Sequence, residues 1–422
     1  MKIYKLFLTI LCVSYFHSNA QQIMVIIQGA TIHVGNGKVI PKGYLGFGGG
    51  KIMLCDSVMS ATYKNATIID GRKKDIYPGL ICMNSTVGLN EIDQARPTHD
   101  FQEVGSVNPN VRSLIAYNTD SKVIPTLRSN GICYVQVVPQ GGLVSGTSSV
   151  MKTSGWNWED ASYNIDDGVH MNWPEFIPVA QNVDRKEMPE SKNPMNEEFQ
   201  TIDNLFEQSF QYCKTEKPEV INVRFEAMRG IFNGTKNLYV HVDGTKGIIS
   251  SINFMKKYPG VKMILVGAAN AYKLTELISE NHIPVVLTNI HRLPQKSNDD
   301  IDQPYKTAAE LMKAGITVAI GHSGSWQTRS LMFEAGTCAG YGLTKEEALE
   351  TITQNPAKIL GIDKTCGTLE TGKDATIIIS SGDLLDMKSS IVEQLFIGGE
   401  EIDLNNLQKD LYKKYSEKYK IK

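Results

Sequence analysis

Apolar positions near the start of the chain come in short runs broken by glycine. Runs at 23–27, 30–34, 44–47, 51–54 and 66–70 are separated by Gly29, Gly35-Asn36-Gly37 and Gly48-Gly49-Gly50. Short runs closed by glycine predict strands joined by tight turns. The same texture returns near the other end, where 376–379 and 394–397 lie among Gly372, Gly382 and Gly398-Gly399. Two β-rich ends therefore flank a long middle, and they could pair as one composite β-sandwich, 21–76 with 365–403.

The middle changes period. Continuous apolar runs at 76–82, 131–138, 149–151, 238–242, 262–266, 285–288 and 317–320 read as buried strands. Between and after them, 121–129, 202–212, 223–231, 245–257, 271–280, 307–313, 326–339 and 344–353 carry apolar residues at helical spacing. Strand–helix alternation on this scale predicts a parallel α/β fold. A closed (β/α)8 TIM-type barrel over 77–364 fits the length better than an open sheet. No glycine-rich phosphate loop opens any of these helices, which weakens the doubly wound alternative. The tail, 404–422, has Leu407, Leu411, Tyr415 and Tyr419 on one helical face.

Composition removes several function classes. The chain has 422 residues, 41% hydrophobic and 21% charged, with 43 basic against 45 acidic side chains. That near-neutral balance carries no electrostatic footprint for nucleic acid. Lys2 and Lys5 precede an apolar run at 6–16, and Ser18-Asn19-Ala20 follows it. This is the pattern of a signal peptide over 1–20, and the run is shorter than the ~20 residues a membrane span needs. No later segment is apolar enough to span a bilayer, so the expectation is a soluble protein exported to the periplasm or secreted. Six cysteines follow the predicted cut, Cys55, Cys82, Cys133, Cys213, Cys338 and Cys366. None has CxxC spacing, and most are expected to be buried thiols.

Tyr77-Pro78-Gly79-Leu80-Ile81 resembles the entry to the barrel in the amidohydrolase superfamily, particularly its imidazolonepropionase-like members. Gly29-Ala30-Thr31-Ile32-His33 followed by Gly50-Lys51-Ile52 is similar to that family's opening strands. Asn355-Pro356-Ala357-Lys358-Ile359-Leu360-Gly361-Ile362, then Gly367-Thr368-Leu369-Glu370 and Gly372-Lys373-Asp374-Ala375, is closer still. The resemblance implies a (β/α)8 barrel carrying a composite sandwich, with one or two metal ions at the C-terminal strand ends. It also implies hydrolysis of non-peptide C–N bonds, as in cyclic amides. In such chemistry the metal lowers the pKa of its water from about 16 to near 7, which supplies hydroxide.

The family's ligands carry over poorly. Its His-x-His after the first barrel strand falls on Asn84-Ser85-Thr86, and neither Asn84 nor Thr86 replaces an imidazole. Its sixth-strand His falls on Gly267, and its eighth-strand Asp, the general base, falls on His322. His241 in Val240-His241-Val242-Asp243 is the retained ligand, while Lys152 and Glu175 are weak matches for a middle-strand ligand.

Three readings stay open. The chain is a binding or partner subunit on the family's fold, joined to a second copy or a related amidohydrolase. Or His241, His291 and His322, with Asp243, hold zinc or another divalent metal in a rearranged site. Or Asp243 and His322 work as acid and base with no metal. No cofactor is firmly indicated, and the expected ligand is a small molecule at the barrel mouth. Around that mouth the long βα loops after the second and third strands, within 139–174, are expected to carry Trp156, Trp158 and Trp173 and a Gly/Ser run, 141–149, able to cradle an anion.

Overall fold

A computed structural model describes residues 24–59, 66–175, 194–293 and 299–421. The predicted signal peptide lies outside the described residues. Five strands open the fold: β1 (Val25–His33), β2 (Val39–Gly48), β3 (Lys51–Asp56), β4 (Thr67–Asp70) and β5 (Asp75–Pro78). Three more close it: β14 (Ile377–Ser380), β15 (Val392–Ile397) and β16 (Glu400–Glu401). They form one mixed sheet in the order β16-β15-β14-β5-β1-β2-β3, with β4 also on β1. The seam between the chain ends is the antiparallel β14–β5 ladder, in which Ile378 faces Tyr77. Ile27, Ile32, Leu45, Phe47, Ile377 and Phe396 pack together as the core of this sheet.

Eight strands close the barrel: β6 (Leu80–Ser85), β7 (Ile132–Val137), β8 (Val144–Lys152), β9 (Ser162–Asn172), β10 (Asn237–Val242), β11 (Lys262–Gly267), β12 (Val285–Thr288) and β13 (Val318–Gly321). Strands β6 and β7 are buried along their whole length. Continuous apolar runs of this kind are what a barrel packed on both faces requires. The sheet is tied to the barrel floor by Tyr163 Oη donating to Asp374 Oδ2 at 2.6 Å. Tyr134 Oη and Thr376 Oγ1 lie 2.9 Å apart at the same junction. Among the described residues no helix is long and apolar enough to cross a membrane. The six cysteines are free thiols, four of them buried.

One strand breaks the parallel pattern. β8 runs antiparallel to both β7 and β9, while the other barrel pairs are parallel. Its reversal corrects the expected long loops within 139–174, a span that is mostly two barrel strands. Three backbone donors of the Gly/Ser run are already taken. Leu143 and Val144 N–H groups both go to Ser106 O, and that of Thr147 to Val111 O. Lys152 pairs with Tyr134 near the start of β7, so the following turn lies at the barrel floor. Trp156 and Trp158 are therefore at the face opposite the mouth, with Trp156 92% exposed. Trp173 is buried against Phe199 and Phe254, its Nε1–H on Ser250 Oγ at 2.8 Å.

The tail forms the helix Leu407–Tyr419 with no buried residue. It is held at its start, where Asn406 donates to Ser129 Oγ at 2.9 Å and Gln408 accepts from Thr126 Oγ1 at 3.0 Å.

Candidate active site

The strands that sequence pattern reads least clearly, β8 and β9, supply the barrel's polar interior. Asp167 on β9 is buried, and three donors converge on its carboxylate. Tyr239 Oη lies 2.6 Å from Oδ2, Gln136 Nε2 2.8 Å from Oδ2 and Ser148 Oγ 2.8 Å from Oδ1. Burial pushes the carboxyl pKa up, and the three donors offset only part of that rise. Above it on the same strand, His170 places Nε2 2.9 Å from Ser148 Oγ and Nδ1 2.9 Å from His241 Nε2. The His170 ring also stacks on Tyr239, with centroids 4.4 Å apart.

These contacts fix a direction. A carboxylate receiving three donors is an acceptor only, so Ser148 spends its one proton on Asp167. Ser148 Oγ then accepts from His170 Nε2–H. Neutral His170 has a lone pair on Nδ1, and that lone pair accepts from His241 Nε2–H. Burial keeps both rings neutral, pushing His170 well down and His241 to about 4. His241 is thus left with an Nδ1 lone pair, which has no hydrogen-bond partner among the described residues.

The other candidates each have their own partners. His291 Nε2 meets Thr337 Oγ1 at 2.7 Å. His322 Nδ1 accepts from Gly324 N–H at 3.1 Å, while its Nε2 faces Glu334 Oε1 at 3.5 Å. Asp243 Oδ1 accepts from Ala269 N–H at 3.1 Å. Asp243 and His322, expected to pair as acid and base, thus have different partners. Glu175 accepts from the N–H groups of Asp243 and Gly244 at 2.9 and 2.7 Å, fixing the turn after β10. Lys152 lies at the floor end of β8, away from the mouth.

A zinc ion needs three or four lone pairs converging on one point. Among the described residues no group of three His, Cys, Asp or Glu side chains has that arrangement. The four expected ligands, His241, His291, His322 and Asp243, form no such group. At the family's ligand positions, Asn84 and Thr86 are buried at the end of β6. Asn84 sits at φ +59°, and its Oδ1 is buried without a partner. Gly267 sits at φ +83°, and a Cβ there would lie 2.8 Å from Asp243 Oδ1.

Sequence reasoning missed His170, Asp167, Ser148 and Glu334. Glu334, in the helix Leu331–Gly340, is buried under β12 and β13 and accepts Ile290 N–H at 3.2 Å. Burial raises its pKa to about 7, and burial chiefly lowers His322 to about 4. With His322 uncharged near neutral pH, the pair is not an ion pair there. The available signal was chemical: Asp167 and His170 lie three residues apart in an otherwise apolar stretch, 167–171.

Three comparisons bear on this site. The profile of the Amidohydrolase family matches residues 221–402. Imidazolonepropionase of Flavobacterium johnsoniae (strain ATCC 17061) is 35% identical over 81 residues, 18% of this chain and 20% of that protein. The 5-methylthioadenosine/S-adenosylhomocysteine deaminase of Moorella thermoacetica is 26% identical over 182 residues, 38% of this chain and 41% of that protein. The chain thus spans well under half the length of these curated relatives. An amidohydrolase structure from Thermotoga maritima MSB8 superposes with TM-score 0.78 at 24% identity, covering 90% of this chain and 99% of that one. That last likeness is one of fold.

Proposed function

The chain belongs to the amidohydrolase superfamily, and from that premise we propose that it hydrolyses a C–N bond in a small, cyclic amide-type molecule at the barrel mouth, with His241 as general base. The observation that carries this reading is the 2.9 Å contact between His170 Nδ1 and His241 Nε2, read with His241 as its donor. It holds a neutral imidazole at the end of β10 with Nδ1 free to take a proton from an attacking water. Asn84, at the end of β6 on the same barrel face, has a buried Oδ1 with no partner, suited to accept an amide N–H. Leaving such an acceptor unpaired costs about 1–3 kcal/mol, a cost a substrate N–H would remove.

In this reading Asn84, Thr86 and Gly267 replace the family's metal ligands, and no step is routed through a metal. The mature protein acts outside the cytoplasm, after cleavage behind residue 20. A second reading, a binding or partner subunit without turnover, is favoured by the commitment of His291 and His322 to structural partners. Turnover of a panel of small lactams, imides and hydantoins by the full chain, with a chelator present, separates the two. Turnover that falls by ~10²-fold or more in His241→Gln supports the hydrolase. Ligand binding without turnover supports the subunit reading, and turnover that vanishes with chelator overturns the metal-free assignment.

A further inference from the structure

We propose that the tail helix, Leu407–Tyr419, is an interfacial anchor that lays the protein on an anionic lipid surface. The inference is independent of the chemistry at the barrel mouth. None of the 13 residues of this helix is buried. Its apolar side chains, Leu407, Leu411, Tyr412, Tyr415 and Tyr419, are all exposed, from 39% at Leu411 to 72% at Tyr412. At about 3.6 residues per turn, these five share one arc of ~140° around the helix.

A helix this short is marginal in water unless its apolar face packs on something. Its hydrogen bonds to the barrel are confined to its start, where Asn406 and Gln408 meet Ser129 and Thr126. Beyond that turn the apolar arc faces solvent. The helix is too short to cross a bilayer, which takes ~20 residues, so a surface is what it can cover.

Charge selects the surface. Over 407–421 five lysines stand against Asp410 and Glu417, on a chain whose formal net charge is −2. Lys414 and Lys418 border the apolar arc on one side, Lys409 and Lys420 on the other, and both acids lie on the opposite face. The Lys414 and Lys418 amines sit 5.7 and 5.2 Å from the ring centres of Tyr415 and Tyr419. Their stems therefore run along the rings and carry the charge to the rim of the arc. Leucine and tyrosine edged by lysine is the pattern that settles into a headgroup layer, with the lysines on lipid phosphates. A second copy is a poorer partner, because pairing two such faces sets lysine against lysine and leaves both acids outside the contact.

The barrel extends this surface. A cavity of about 780 Å³ at the base of the helix is lined by Lys409 and Tyr412 from the tail and by Ser129, Trp326 and Arg329 from the barrel. Aromatic rings again stand beside cations, which gives a headgroup phosphate a place next to the first turn of the helix.

Vesicle co-sedimentation of the full chain tests the anchor. The apolar run at 6–16 is common to every sample, so differences between variants report the tail. Vesicles of phosphatidylglycerol mixed with phosphatidylcholine are expected to retain the protein ~10-fold more strongly than phosphatidylcholine alone. That retention should fall by a similar factor as salt rises from about 0.05 M to about 0.5 M. Leu411→Gln with Tyr415→Gln, which removes the centre of the arc, and Lys414→Gln with Lys418→Gln, which removes one rim, should each weaken it by ~10-fold or more. Ser416→Ala, on the polar face, should leave it unchanged. Equal retention by the two kinds of vesicle, or retention that survives both double substitutions, overturns the anchor. So does self-association in sedimentation velocity that Leu411→Gln with Tyr415→Gln abolishes while no vesicle retains the protein, an outcome that assigns the face to a second copy.

Discussion

His170 Nδ1 lies 2.9 Å from His241 Nε2, joining two neutral imidazoles on adjacent parallel strands. Such a contact needs one ring to donate and the other to accept, so each fixes its neighbour's tautomer. His170 is fully enclosed, with Tyr239 stacked on its face and Ser148 at its other nitrogen. His170→Ala would leave both Ser148 Oγ and His241 Nε2 short of a partner and open a cavity. The expected loss is about 2–4 kcal/mol of unfolding free energy by urea titration. A loss under ~1 kcal/mol would mean that water replaces the ring without penalty.

Glu334 gives a pH signature. Its pKa rises from the ordinary 4.5 to about 7 because it is buried, so the folded protein keeps a proton that the unfolded chain releases. Stability from this group is fully present below about pH 4.5 and falls as pH rises to about 7, by roughly 3 kcal/mol in all. Glu334→Gln keeps an acceptor for Ile290 N–H but cannot ionise. The variant is expected to gain on the unaltered protein between about pH 5 and about pH 8. Parallel stability curves across that range would show that Glu334 titrates normally.

Gly267 cannot be given a side chain cheaply. Its φ of +83° is strained for other residues, and an added Cβ would meet Asp243 Oδ1 at 2.8 Å. Gly267→Ala should cost about 1–3 kcal/mol. Gly340, with open space around its Cβ position, is the control, and its alanine variant should be neutral or gain up to ~1 kcal/mol. Restoring the family's ligand by Gly267→His meets the same obstacle, so the substituted position is built into the backbone.

The tryptophans divide by burial. Trp156→Ala should shift stability by less than ~0.5 kcal/mol and leave ligand affinity at the mouth unchanged, since Trp156 is exposed on the barrel floor. Trp173→Ala should cost about 3–5 kcal/mol, because it empties a pocket shared with Phe199 and Phe254. Thermal melts together with a ligand-shift assay read both. An effect of Trp156 on binding would place its turn at the mouth and contradict the reversal of β8.

Pattern along the chain determined the parts held by hydrophobic burial. Runs such as Leu238-Tyr239-Val240 and Val285-Val286-Leu287 read as interior strands, because they are short, apolar throughout and rich in β-branched or aromatic residues. The glycine-punctuated ends likewise determined a composite sheet, and the motif around Tyr77-Pro78-Gly79 carried the resemblance to the amidohydrolase superfamily. Strands β8 and β9 were illegible for the opposite reason. Their interior residues, Ser148, Asp167 and His170, are stabilised by hydrogen bonds to one another, and a polar residue satisfied by a distant partner looks like a loop in sequence. The direction of β8 was equally hidden, since alternation is the same read either way along a strand. Only the tertiary structure could bring Asp167 to Tyr239 and His170 to His241, or commit His322 to Glu334. Those pairings cross strands and helices whose relative placement is set by the closure of the barrel, and hydrogen bonds depend on distance in space, which spacing along the chain does not encode.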